Sequence, residues 1–223
     1  MMRFITTVAV VVFVLPALAV PALQLYTPDG NYDSSTETWM ATTREFELWA
    51  AWASHNGNYV SVSNLQLHIA LLSPVVPGSS LTITGPGYES GLVISDFEFG
   101  KPSALAPHGI YPTYYYSLPL PDMHLADADE LIQNYVEGDG ADMGMVYRYH
   151  VALQNVKEMH FDLTAQMLTE KGFLRDAFAP YSHDAGVKTS GFDPYDETAI
   201  PEPRALFTAG ILVAAFFRKR RRA

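Results

Sequence analysis

Three groups of residues in this 223-residue chain have side chains and spacing suited to chemistry. Glu158, His160 and Asp162 stand at i, i+2 and i+4. On a strand that spacing puts all three on one face, where they could ligate a metal, and leaves Met159, Phe161 and Leu163 for a core on the other. The same alternation describes a strand whose polar face is simply solvated, and that plainer state is expected here. The second group is Glu137-Gly138-Asp139-Gly140-Ala141-Asp142. Glu137, Asp139 and Asp142 could offer oxygen ligands to Ca2+, but the twelve-residue EF-hand pattern and its terminal bidentate Glu are missing, so a solvated acidic turn is expected. The third group is Ser182-His183-Asp184. Neighbours on an extended segment point apart, so Ser182 and His183 are not expected to form a dyad, and Gly-x-Ser-x-Gly is absent. His183 and Asp184 are read as structural, hydrogen-bonding a loop back to the body. The other histidines form no His-Glu-x-x-His and no close zinc-helix spacing. No catalytic residue and no cofactor is assigned beyond the Ca2+ candidates. Paired carboxylates for glycoside hydrolysis stay open, because the chain has many acids whose separation in space the sequence does not give.

The elements that must hold these residues read as strands. Glu45 to Trp49, Val60 to Ser63, Leu65 to Ile69, Ser80 to Thr84, Leu92 to Phe99, Tyr147 to Leu153 and Met159 to Leu163 alternate or run apolar between turn-forming residues. Ala126 to Tyr135 and Gln166 to Lys171 are the short helical candidates. The segment from Gly100 to His124 holds five prolines and Tyr111, Tyr114, Tyr115 and Tyr116. It reads as a long ordered loop whose tyrosines pack on the body, a sugar-stacking platform being the alternative. The fold expected is mostly β, a single antiparallel, jelly-roll-like β-sandwich over residues 20–185, with a flexible stalk at 186–200.

Charge and composition narrow the partners. Cysteine is absent, which rules out disulfides, thiolate metal sites and a cysteine nucleophile. Between Arg3 and Arg204 seven basic residues face all 24 acidic ones, a net charge of −17. A surface so acidic repels phosphate backbones, so nucleic acid is excluded as a partner.

Both ends read as sorting segments. Arg3 precedes an apolar run from Phe4 to Leu15, and Ala17 and Ala19 make a small-x-small site. Twelve helical residues reach only ~18 Å against the ~30 Å of a bilayer core, so residues 1–19 read as a signal peptide cut after Ala19, with Ala22 as second choice. At the other end Pro201, Glu202 and Pro203 precede Arg204, an uncharged run from Ala205 to Phe217, and the cations Arg218, Lys219, Arg220, Arg221 and Arg222. Thirteen residues give ~20 Å, a transient stop in the inner membrane, while the cations hold the tail in the cytoplasm.

Residues 201–223 resemble the PEP-CTERM sorting signal of exosortase substrates, although Arg204 stands where a Ser or Thr is more usual. The resemblance implies that a membrane-embedded exosortase recognises the Pro-Glu-Pro and removes the helix and tail. The body is similar to the choice-of-anchor N family at Ala22 to Tyr26, Tyr32-Asp33, Glu37-Thr38-Trp39, Phe46 to Trp49 and Ala179 to Ala185. That likeness implies a compact exported β domain without a known activity. The expectation is a non-enzymatic protein of the cell surface or extracellular matrix, with the exosortase and secretion machinery as partners and a link to exopolysaccharide or biofilm. The alternative is a secreted carbohydrate- or calcium-binding module, and an extracellular hydrolase is the third possibility.

Overall fold

The computed structural model describes residues 20–105, 108–138 and 140–189. The strands in chain order are β1 (Leu23–Tyr26), β2 (Asn31–Asp33), β3 (Thr38–Ala41), β4 (Glu45–Ala53), β5 (Tyr59–Leu71), β6 (Ser80–Gly85), β7 (Tyr88–Ile94) and β8 (Glu98–Gly100). They continue as β9 (Thr113–Pro119), β10 (Met123–His124), β11 (Glu130–Ile132), β12 (Asp142–Gln154), β13 (Glu158–Thr169), β14 (Leu174–Phe178) and β15 (Asp184–Lys188). Two sheets form a β-sandwich. The first runs β1-β4-β12-β6-β7, with β11 also on β12. The second runs β2-β3-β15-β13-β5-β9-β8, with β10 on β5 and β14 on β13. Every pairing is antiparallel except β3 with β15, which is parallel.

Alternation selects what lies between the sheets. Phe46, Leu48, Ala50 and Trp52 of β4 and Tyr149, Val151 and Leu153 of β12 meet Leu65, Leu67, Ile69 and Leu71 of β5 and Met159, Phe161 and Leu163 of β13 in one core. Each fully buried aliphatic side chain there contributes roughly 1.5–3 kcal/mol. Ala51, Ala53, Val146 and Ile132 form a smaller cluster with Val20, Trp49 and Tyr135. The break in alternation at Asn64 has a physical origin. Asn64 adopts a positive φ of 50°. Opposite it, the register against β13 shifts between Gln66–Thr164 and Ser63–Gln166, so two residues of β5 face one of β13. That bulge puts Val62 and Leu65, three apart, both into the core.

Several sequence expectations change. Leu92 to Phe99 is two strands, because the chain leaves the first sheet after Ile94 and joins the second at Glu98. Ala126 to Tyr135 is no helix: a 3-10 turn at Leu125–Asp127 is followed by β11 on β12. Gln166 to Lys171 continues β13 to Thr169 and then turns. Tyr114, Tyr115 and Tyr116 lie on strand β9, paired with Leu71, Ala70 and Ile69, rather than on a loop. β15 carries the sandwich to Lys188, so the first residues assigned to the stalk are strand. Among the described residues no helix is long and apolar enough to cross a membrane. The apolar runs at both ends, with Ala17, Ala19, Pro201, Glu202, Pro203 and the cations Arg218 to Arg222, lie outside the described residues.

Candidate metal centre

The core-facing residues of β13 leave His160, Asp162 and Thr164 on the outer face of the second sheet. That face is not solvated, contrary to the expectation. His160 is 6% exposed and Asp162 1%. Two chain segments cover it. One leads into β9 and carries His108 and Tyr111; the other is the 3-10 turn Tyr181–His183, which feeds Asp184 into β15. Periodicity along a strand places a side chain on a face, but what covers that face comes from elsewhere in the chain.

The result is a four-residue cluster. His108, His160, Asp162 and Asp184 each bring one ligand-type atom, and these atoms all lie within 4.8 Å of one another. His108 Nδ1 donates to Asp162 Oδ1 at 2.8 Å, and the Tyr111 hydroxyl donates to Asp162 Oδ2 at 2.8 Å. His160 Nε2 stands 3.4 Å from Asp162 Oδ1 and 3.5 Å from Asp184 Oδ2. These are ion-pair distances, but they lack hydrogen-bond alignment: His160 Nε2 and both carboxylate oxygens of Asp184 are buried without a hydrogen bond. Aromatic rings wall the cluster. Tyr181 stacks on His108 with centroids 4.2 Å apart, and His160 meets His108 edge-on at 4.9 Å.

The electrostatics follow from burial and pairing. Burial works against charge on His160, but Asp162 and then Asp184 outweigh it and raise the imidazole to about 10. Asp162 is also disfavoured as an anion by burial, yet His160 and His108 pull its carboxyl well below the usual range. Asp184 lacks enough opposing charge, and burial, with Asp162 beside it, raises its carboxyl to about 8. Burial and then the charge of Asp162 push the Tyr111 phenol up. The cluster thus holds Asp162 as a paired carboxylate and Asp184 as a carboxyl that burial keeps protonated at neutral pH.

The residues singled out in the sequence divide. His160 and Asp162 belong to the cluster, whereas Glu158 does not: its Oε1 lies 3.8 Å from Lys188 Nζ. Asp184 joins the cluster, and its neighbour His183 does the structural work expected of both. His183 Nε2 lies 2.9 Å from Asn134 Oδ1, tying the turn to the loop between β11 and β12. Asn134 Oδ1 also accepts from the amides of Val136 and Glu137, so it is an acceptor and His183 Nε2 carries the proton. Ser182 departs from expectation: its Oγ sits 2.9 Å from His183 Nδ1, because the 3-10 turn swings the two side chains together. Of the acidic turn, Glu137 is exposed and Asp139 lies outside the described residues. Asp142 accepts from Ser54 Oγ and from the amides of Asn56 and Met143, which fastens the turn after β4. His108 and Tyr111 were not singled out as ligands, since 52 residues separate His108 from His160 and no local spacing marks the pair.

Fold and site together define a cysteine-free β-sandwich with a closed His2Asp2 cluster on the outer face of one sheet. No protein-family model matches the chain, and no curated protein matches it. Among solved structures it is similar to the collagen-binding subdomain of the Enterococcus faecalis surface protein ACE, at 6% identity and a TM-score of 0.28, covering 75% of this chain and 97% of that one. It is also similar to AvmM, which catalyses macrocyclization in alchivemycin A biosynthesis, at 9% identity and a TM-score of 0.32, covering 78% and 93%. Likeness at these scores is too distant to bear on function.

Proposed function

We propose that this chain is an exported, non-enzymatic β-sandwich module that an exosortase sorts to the cell surface or extracellular matrix, in association with exopolysaccharide. One observation carries the reading: Pro201-Glu202-Pro203, the apolar run Ala205 to Phe217 and five terminal cations follow one another in order after the folded body. Prolines resist helix and lack an N–H, which suits a motif that a membrane protease must reach. The −17 body charge supports a soluble module held away from anionic lipid. The covered cluster favours holding an ion over turning over a substrate. A glycan-binding variant of this reading has one feature in its favour. Phe99 and Tyr114 are exposed side by side on β8 and β9, with ring centroids 5.4 Å apart.

The test is the intact mass of the protein recovered from cells that encode an exosortase. The expected species lacks residues 1–19 and everything beyond the Pro-Glu-Pro region. A species that keeps residues 205–223 overturns the exosortase reading and makes the tail a retained anchor.

A further inference from the structure

We propose that His108, His160, Asp162 and Asp184 bind one divalent transition-metal ion of the zinc class, which staples the segment before β9 and the turn before β15 onto the second sheet. Two imidazoles and two carboxylates suit zinc-class ions, whereas calcium takes oxygen donors alone. Four tetrahedral bonds of about 2.0–2.2 Å put neighbouring ligand atoms roughly 3.3–3.6 Å apart. His160 Nε2 already lies 3.4 Å from Asp162 Oδ1 and 3.5 Å from Asp184 Oδ2.

A second, independent observation points to a cation. Asp184 is 1% exposed and neither of its oxygens has a hydrogen bond. Buried polar atoms in that state are costly, and one metal ion held between Asp184 and His160 Nε2 would satisfy both. His160 Nε2, also without a hydrogen bond, belongs to the same group of converging atoms. Surrounding contacts fit an oriented ligand set. The Tyr111 hydroxyl fixes the far oxygen of Asp162, and Tyr181 fixes the plane of His108 by stacking. His108 Nδ1 now shares a proton with Asp162 Oδ1, and the ion takes the place of that proton.

The site is closed. His108, the most open of the four, has a side chain only 15% exposed. Four protein ligands with no open position describe a structural centre rather than a catalytic one. The ion would link three stretches far apart in sequence, the role a disulfide plays in chains that have cysteine.

The test uses protein purified without a histidine tag from cells expressing the full chain. It is stripped with a chelator and titrated with Zn2+ by calorimetry and with Co2+ by visible absorption. Expected are one ion per chain, a rise in thermal midpoint with Zn2+, and the intense visible bands of four-coordinate Co2+. His108→Ala and Asp184→Asn should each weaken binding by about a hundredfold or more, and Tyr111→Phe by about tenfold. His108 lies outside the strands, so His108→Ala decides the matter if Asp184→Asn does not fold. Folded wild-type protein that binds neither Zn2+ nor Co2+ overturns the proposal. So does binding that His108→Ala leaves unchanged, or a thermal rise with Ca2+ and none with Zn2+.

Discussion

Acidification should destabilise this protein through His68 before most of its carboxylates titrate. His68 is 1% exposed in the middle of the second sheet. Its ring nitrogens lie 2.8 Å from Ser117 Oγ on β9 and 2.8 Å from Thr164 Oγ1 on β13. A neutral imidazole needs one donor and one acceptor, and two rotatable hydroxyls supply both. Burial lowers the His68 pKa to about 4, against a smaller opposing pull from Asp162. In the unfolded chain the same group titrates near about 6.5. As pH falls, the unfolded state therefore takes up the proton first. Stability from this group is complete above about pH 6.5, drains between there and about pH 4, and is flat below. A gap of about 2.5 units at about 1.36 kcal/mol each gives a loss of about 3 kcal/mol. The assay is urea unfolding of wild type and His68→Gln at steps between about pH 7 and about pH 4, with the difference plotted against pH. Other buried groups titrate in both proteins and cancel in that difference. Wild type should lose about 3 kcal/mol more than the variant. Parallel curves would refute the argument, because they would mean that the buried imidazole carries no proton-linked stability.

Two packing predictions can be read in the same unfolding assay. A Cβ added at Gly144 would fall 1.8 Å from the Trp52 carbonyl oxygen and 2.6 Å from Ile132 Cγ1. Backbone must shift to admit it, so Gly144→Ala should cost about 3 kcal/mol or more. By contrast Gly57, with φ +78° and nothing within 4 Å, should lose only about 1 kcal/mol on change to Ala; equal losses at the two sites would contradict the steric account. Asn134→Ala removes the acceptor of His183 Nε2 and of the Val136 and Glu137 amides. It should cost about 3 kcal/mol, and a loss under about 1 kcal/mol would mean that water replaces those bonds freely.

Much of the sandwich was legible because alternation is a local signal. β6 appears in the sequence nearly where it stands, β4, β12 and β13 appear in part, and even the phase change at Asn64 is visible before its bulge is known. The misreadings share a cause. Asp127 to Gln133 is rich in residues that tolerate helix, yet pairing of Glu130–Ile132 with Asp142–Gly144 prevails over that preference. The cluster was half legible for the same reason. His160 and Asp162 are two apart on one strand, and their common face follows from that spacing. Their burial depends on His108 and Tyr111, brought over the sheet by a segment more than 50 residues away, and no pattern within β13 encodes it.

The parallel pair β3–β15 sets the order in which the molecule can be finished. Among the described residues β3 pairs only with β2 and β15, and β15 joins that corner to β13. A chain emerging N-terminus first therefore carries β2 and β3 without their route into the sheet until Asp184–Lys188 arrive. Closing so long a loop is slow, since its entropy is lost before any contact is gained. The last described strand thus closes the second sheet, and its docking brings Asp184 beside His160 in the same event.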